Sequence, residues 1–330
     1  MLIFRLISTA FCGLSLLACG QSSGPNVSSV VPSDTTASAP AANAAPTHQI
    51  GLVMKTLTNP FFIEMEKGAR KAEKDLGVTL IVKTAAQETS IEQQIQLVND
   101  LIEAKVAAIV IAPGDSQRLV PTLKKAADAG IKIVNIDNRL DPETLKQSGM
   151  GVVPFVSVDN DAGAYKAGRF LAESVTKPTQ AAILEGIRSA DNARQRMEGA
   201  KRALLENKSI QVVASETANW KIDEAYAVSK TLFKQHPGVQ LLFAANDMMA
   251  LGAVKYLLES GKAQVRVVGY DALPEALAEI RSGHLTATVD QQAAEQGYQG
   301  VALAVRLLQG KEVPAVTMID TRLVTTHTLQ

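Results

Sequence analysis

The sequence predicts an α/β fold made of two Rossmann-like lobes, each a parallel sheet flanked by helices. Three observations carry this. After Thr47, apolar runs of about four to six residues alternate with amphipathic stretches of roughly 12 to 18, the signature of repeated βα units. The regular part is roughly 280 residues long, near the limit for one hydrophobic core. Between Asn138 and Val158 the alternation breaks, with Pro142, Gly149, Gly151 and Pro154 marking loop, so the chain is expected to cross between lobes near Val158.

The elements follow in order. Residues 1–18 read as a signal segment: Arg5 precedes an apolar run from Leu6 to Leu17 that is short for a membrane span and suited to a secretory core. Leu16-Leu17-Ala18-Cys19 resembles the bacterial lipobox, in which cleavage falls before the cysteine and the thiol carries a diacylglycerol. Cys19 is therefore the expected lipidation site. Cys12 lies in the cleaved part, so no disulfide is expected in the mature chain. Residues 19–47 are rich in Ser, Pro, Ala, Thr and Asn, with almost no large apolar residue, and read as a disordered tether between lipid and folded body.

The first strand is Ile50–Met54. Its polar turn (Lys55, Thr56, Thr58, Asn59) leads to Pro60, which opens a helix where a missing N–H costs nothing. Further strands are expected at Leu80–Val82, Ala108–Ile111, Lys132–Ile136, Ala181–Leu184, Gln211–Ala214, Leu241–Phe243, Val265–Gly269 and Thr286–Val289. Helices are expected between them, among them Ile63–Leu76, Ile91–Ala104, Ala162–Ser174, Ala193–Glu206 and Met248–Ser260.

In open α/β sheets, ligands bind at the carboxyl ends of the strands. Those ends carry Lys55, Asn59, Phe61 and Phe62, then Asp137-Asn138-Arg139, Asp191-Asn192-Ala193-Arg194, Asn219-Trp220, Asn246-Asp247, Tyr270-Asp271 and Asp290-Gln291. Planar amides, carboxylates and guanidinium groups can bond two adjacent hydroxyls at once, and aromatic faces cover the C–H face of a sugar ring. The plainer alternative for each Asp or Asn is capping of the next helix, and for the Phe pair, packing of the first helix turn. Asp191 and Asp247 are read as caps. The weight rests on the set recurring along one edge.

Composition narrows the function further. The 33 basic and 33 acidic residues balance, and no basic stretch marks a nucleic-acid surface. No Gly-x-Ser-x-Gly elbow, P-loop, His-Glu-x-x-His or cysteine pair is present, and the four histidines (His48, His236, His284, His327) lie away from the strand-end set. A metal or cofactor is not expected. Asp137 and Asp271 could in principle form an acid–base pair, which keeps a carbohydrate-active enzyme as a remote alternative.

The motifs KTLTNPFF (55–62), NIDNRLD (135–141), NARQRMEG (192–199), ANWKIDEA (218–225), FAANDMMALGA (243–253), VVGYDALPEA (267–276) and LTATVDQ (285–291) resemble those of the ribose-type periplasmic sugar-binding proteins of ATP-driven (ABC) importers, with essentially all of residues 48–330 covered. Lys55 and Asn138 stand where ribose binders usually have serine and arginine, which is closest to the D-allose-binding branch. The resemblance implies the type I periplasmic-binding fold with a three-segment hinge near Val158, Gln291 and the last strand. The lobes would then be 48–158 plus 292–316, and 159–291 plus 317–330.

By the same resemblance, Lys55, Asn59, Phe61, Phe62, Asp137 and Asn138 would meet a ligand from the first lobe. Arg194, Trp220, Asn246 and Asp271 would close over it from the second, with Gln291 reaching it from the hinge. Trp220 would stack opposite Phe62. Lys55 and Arg194 would balance Asp137 and Asp271, a neutral cage suited to an uncharged monosaccharide. The implied protein is a monomeric, exported lipoprotein that touches the membrane only through its anchor, binds no nucleic acid and serves a membrane permease. A sugar sensor signalling to a receptor or kinase uses the same site and stays open as an alternative.

Overall fold

The computed structural model describes residues 48–329. The signal segment and tether, with Cys19, lie outside the described residues. The first lobe begins with β1 (Gln49–Met54), α1 (Pro60–Leu76), β2 (Thr79–Thr84), α2 (Ile91–Glu103), β3 (Ala108–Ile111), α3 (Val120–Asp128), β4 (Lys132–Ile136), α4 (Pro142–Gln147) and β5 (Phe155–Val158). The second holds α5 (Asn160–Ala172), β6 (Thr179–Glu185), α6 (Asp191–Glu206), β7 (Ile210–Thr217), α7 (Ile222–Gln235), β8 (Val239–Ala244), α8 (Asp247–Glu259), β9 (Arg266–Val268), α9 (Pro274–Ser282) and β10 (Ala287–Asp290). The chain then returns as α10 (Ala293–Leu308) and β11 (Val316–Ile319) and ends with β12 (Arg322–Thr325).

Two six-stranded sheets result, ordered β2-β1-β3-β4-β5-β11 and β7-β6-β8-β9-β10-β12. All pairings are parallel except β12 against β10. In both sheets the order reverses beside the first strand of the lobe, which puts a crevice at the carboxyl ends of β1/β3 and of β6/β8. The strands are apolar on both faces because helices cover both: Leu52 and Met54 of β1 enter one buried cluster, Val53 the other.

Local chemistry sets the helix ends. Asn59 caps α1 by accepting from Phe61 N, Pro60 occupies the first turn, and Gly77 ends the helix in the left-handed region at φ 66°. α10 lies against α1 at close range: a Cβ on Gly68 would sit 1.7 Å from Ala294 O, and one on Gly297 2.1 Å from Met65 O. That backbone-to-backbone approach brings the returning chain into the first lobe.

The structure differs from the sequence reading in three places. Pro142 does not mark loop but opens α4, with Asp141 capping through Thr144 N. Pro154 directly precedes β5, so the supposed loop contains a helix and a strand. β11 pairs with β5 through Ile319, so the last crossing falls at residues 320–321 and not after 316. An edge strand with alternating exposure leaves no continuous apolar run to read.

The lobes are closed on one another. Ser116 N donates to Ser189 O at 3.2 Å, Asp191 N to Ser116 Oγ at 3.0 Å, and Asn192 N to Asn138 Oδ1 at 3.2 Å.

Candidate ligand-binding site

Strand ends from both lobes converge on one small cavity. The turn after β1 supplies Lys55 and Asn59, the first turn of α1 supplies Phe61 and Phe62, the turn after β2 supplies Glu88, and the end of β4 supplies Asp137. Opposite stand Asn192 and Arg196 of α6, Trp220 after β7, Asn246 after β8, Asp271 after β9 and Gln291 after β10. With the lobes shut on one another, these side chains crowd the cavity closely and leave only about 10 Å³ free between them.

Charge is concentrated here. Lys55 Nζ lies 2.8 Å from Asp137 Oδ2 and 3.8 Å from Glu88 Oε2. Asn59 Nδ2 donates to Glu88 Oε1 at 2.9 Å, so this asparagine both caps α1 and orients a carboxyl. Lys55 Nζ is also 5.5 Å from the Phe62 ring centre and 6.0 Å from that of Trp220, so the two rings border the same pocket. In the other lobe Gln291 Nε2 donates to Asp271 Oδ1 at 2.5 Å, and Arg196 Nη1 lies 3.6 Å from the same oxygen. Burial, only partly offset by Lys55 and Asn59, pushes the Glu88 carboxyl above its ordinary range. Burial also raises Asp271 well above the usual carboxylate value, against the pull of Arg196.

The backbone is held in a sparsely populated region at this cavity. Asp137 has φ 63°, Trp220 φ 67° and Asp271 φ 129°. A tryptophan in the left-handed region is strained, and such strain persists only where the surroundings over-determine it. Here Asn246 Nδ2 donates to Trp220 O, and the indole lies against Gly186, where a Cβ would come within 2.1 Å of Cζ2. Two buried polar atoms on the lining, Asn192 Oδ1 and Trp220 Nε1, have no hydrogen-bond partner within the protein. Leaving such groups unpaired costs about 1–3 kcal/mol each, so a hydroxyl-bearing ligand fits them.

Four expectations change. Arg194 does not line the cavity: its side chain is half exposed and Nη2 pairs with Asp191 Oδ1 at 2.7 Å. A helix advances about 100° per residue, so Asn192 and Arg196 share a face and Arg194 points away from it. The apolar residues of α6 carried that signal, since Ala193, Gly199, Ala200 and Ala203 bury the Asn192–Arg196 side. Asn138 is fully buried but stands behind the cavity, where Nδ2 donates to Pro113 O and Ser116 Oγ and Oδ1 receives Asn192 N. Asp191 is not a cap, because Ala190 holds that position and the carboxylate pairs with Arg194 and Gln195. Asp247 is not one either. Asn246 caps α8, while Asp247 points inward to accept from Thr288 Oγ1 and Leu273 N, and burial raises its pKa to about 6. The sequence reading misses Glu88 and Arg196, and it names Asn192 at a strand end without placing it in the ligand set. Glu88 had no sequence signal, since it stands in a polar turn and is its one charged residue to be buried.

The revised cage therefore holds Lys55 and Arg196 against Glu88, Asp137 and Asp271, and burial moves Glu88 and Asp271 toward neutrality. No group of three or more His, Cys, Asp or Glu suited to a metal occurs among the described residues.

The family model for the periplasmic binding protein domain matches residues 50–312. The chain belongs to the periplasmic binding protein family. Its two lobes are the type I form of that fold. The chain is similar to the D-ribose/D-allose-binding protein of Pseudomonas aeruginosa, at 41% identity over 266 residues that cover 80% of this chain and 83% of that one. It is similar to the D-allose-binding periplasmic protein of Escherichia coli at 33% identity, covering 84% and 92%. Among solved structures, a periplasmic solute-binding protein of an ABC transporter from Actinobacillus succinogenes with bound D-allose superposes with a TM-score of 0.81. It shares 38% identity and covers 86% of this chain and 99% of that one.

Proposed function

We propose that this periplasmic binding protein captures a neutral monosaccharide of the allose or ribose class and delivers it to the permease of an ABC importer. The observation that carries the reading is the convergence, from both lobes, of planar hydrogen-bonding groups and two aromatic rings on one cavity. Relatives named for D-allose and D-ribose support the ligand class.

In this reading the sugar enters the open crevice and bonds first to one lobe. Closure brings the other half-site over it, and the contacts between Ser116, Asn138 and the start of α6 form at the rim. Lys55, Asp137 and Glu88 face hydroxyls from the first lobe. Arg196, Asp271, Asn192 and Gln291 face them from the second, and Phe62 and Trp220 cover the apolar ring faces. A sugar phosphate is disfavoured, because its charge would have to leave water for a cavity whose two cations, Lys55 and Arg196, are already engaged by protein acceptors. The protein is exported, held at the cell envelope by lipid on Cys19, and acts as a monomer.

The test is a thermal-shift series with D-allose, D-ribose, other neutral aldoses and ketoses, and a sugar phosphate, followed by calorimetry. A ligand at 100 times its Kd stabilises the fold by roughly 2.7 kcal/mol. A shift with D-allose or D-ribose and none with the phosphate is expected. Silence across neutral sugars would sink the proposal.

A further inference from the structure

One guanidinium in the cavity touches two of the three interlobe crossings. Arg196 Nε donates to Asn160 Oδ1 at 2.8 Å, Nη1 to Ala245 O at 2.9 Å, and Nη2 to Gln291 Oε1 at 3.1 Å. Its Cζ lies 3.8 Å from the ring centre of Tyr270 and 5.6 Å from that of Trp220. Asn160 is the first residue of α5, directly after the first crossing, and its Nδ2 donates to Val158 O at 3.3 Å. Gln291 belongs to the second crossing, where Gln296 of α10 donates to both its backbone and side-chain oxygens.

A guanidinium has five N–H donors in a rigid plane. Three are used on protein here, which leaves one on each terminal nitrogen for a ligand. Whether those two reach adjacent hydroxyls depends on the plane, and the Nε–H bond to Asn160 is the one of the three that holds it from the first crossing. Asn160 itself is buried and outside the cavity.

We propose that Asn160 is a positioning residue of the ligand site, which orients Arg196 from the first interlobe crossing and so ties the grip on the ligand to the bend of the hinge. The affinity part of the proposal rests on the sugar-binding reading. Trp220 supplies a readout that does not, because it is the chain's one tryptophan and it borders Arg196.

The experiment compares wild type with Asn160→Leu, Asn160→Asp, Arg196→Lys and the Asn160→Leu/Arg196→Lys double variant. Calorimetry uses D-allose and D-ribose, and Trp220 emission is recorded without sugar. Asn160→Leu is expected to weaken binding about tenfold or more and to shift the sugar-free emission. Asn160→Asp keeps the acceptor for Arg196 Nε–H but loses the donor to Val158 O, and is expected to keep the wild-type emission and to bind within about threefold of wild type. In the Arg196→Lys background, Asn160→Leu should add less than about threefold, because its effect runs through the guanidinium.

Wild-type affinity and emission in Asn160→Leu, or an equal loss in both backgrounds, overturns the proposal. If wild type binds neither sugar, the functional reading fails and the emission alone decides this one: a shift supports it, an unchanged spectrum overturns it. Should Asn160→Leu not fold, Asn160→Ser takes its place with the same readouts.

Discussion

Two arginines one helical half-turn apart have opposite fates, and the difference is wholly geometric. Arg196 is buried with three protein acceptors, while Arg194 reaches only Asp191 at the surface. Arg196→Ala is expected to abolish measurable sugar binding in calorimetry and to lower unfolding stability by about 3 kcal/mol, because it strands the buried Asp271 carboxyl. Arg194→Ala should leave both at wild-type values, and a comparable loss there would put the cavity on the wrong face of α6. At Trp220, lost ring contact makes Trp220→Ala a strong binding mutant in the same titration. Gly186→Ala should weaken binding too by displacing the indole it touches. Much of this cavity was legible in the sequence, because Lys55, Asn59, Asp137, Trp220, Asn246, Asp271 and Gln291 all follow readable strands. Residues outside that register were not. Arg196 and Asn192 depend on helix phase, and Glu88 on a turn that folds inward.

Strands and helices with long apolar runs were readable because both faces of each sheet are buried. β5, β11 and α4 were not, being short, preceded or opened by proline, or half exposed at an edge. Packing between elements carries its own prediction. Gly68→Val would push a side chain into Ala294 O at the α1–α10 contact and should cost about 1–3 kcal/mol or more in urea unfolding. An unchanged midpoint would mean that the two helices part without penalty. Asn59→Ala removes the cap of α1 at a cost of about 1 kcal/mol and also frees Glu88, so unfolding and sugar affinity should both suffer.

For the molecule as a whole, buried acids set the response to pH. Asp247 has its pKa raised to about 6 by burial, whereas an unfolded chain holds aspartate near 3.9. Between those values the native state holds a proton that the unfolded state has released. This group's contribution to stability therefore declines as pH rises from about 4 to about 6 and is flat above. The difference in unfolding free energy between wild type and Asp247→Asn should follow that course, measured by urea titration from pH 4 to 8, and a difference that grows with pH would contradict the burial argument. The shared strand order of the two sheets has an electrostatic consequence. It turns the amino ends of helices from both lobes toward one cavity, and each such end carries roughly half a positive charge in aligned peptide dipoles. Glu88 precedes α2 and Asp271 precedes α9 by three residues each. Burial nevertheless outweighs every favourable contact at both carboxyls and holds them above their ordinary range. A site built this way holds several acids around an uncharged guest without enlisting a further lysine or arginine.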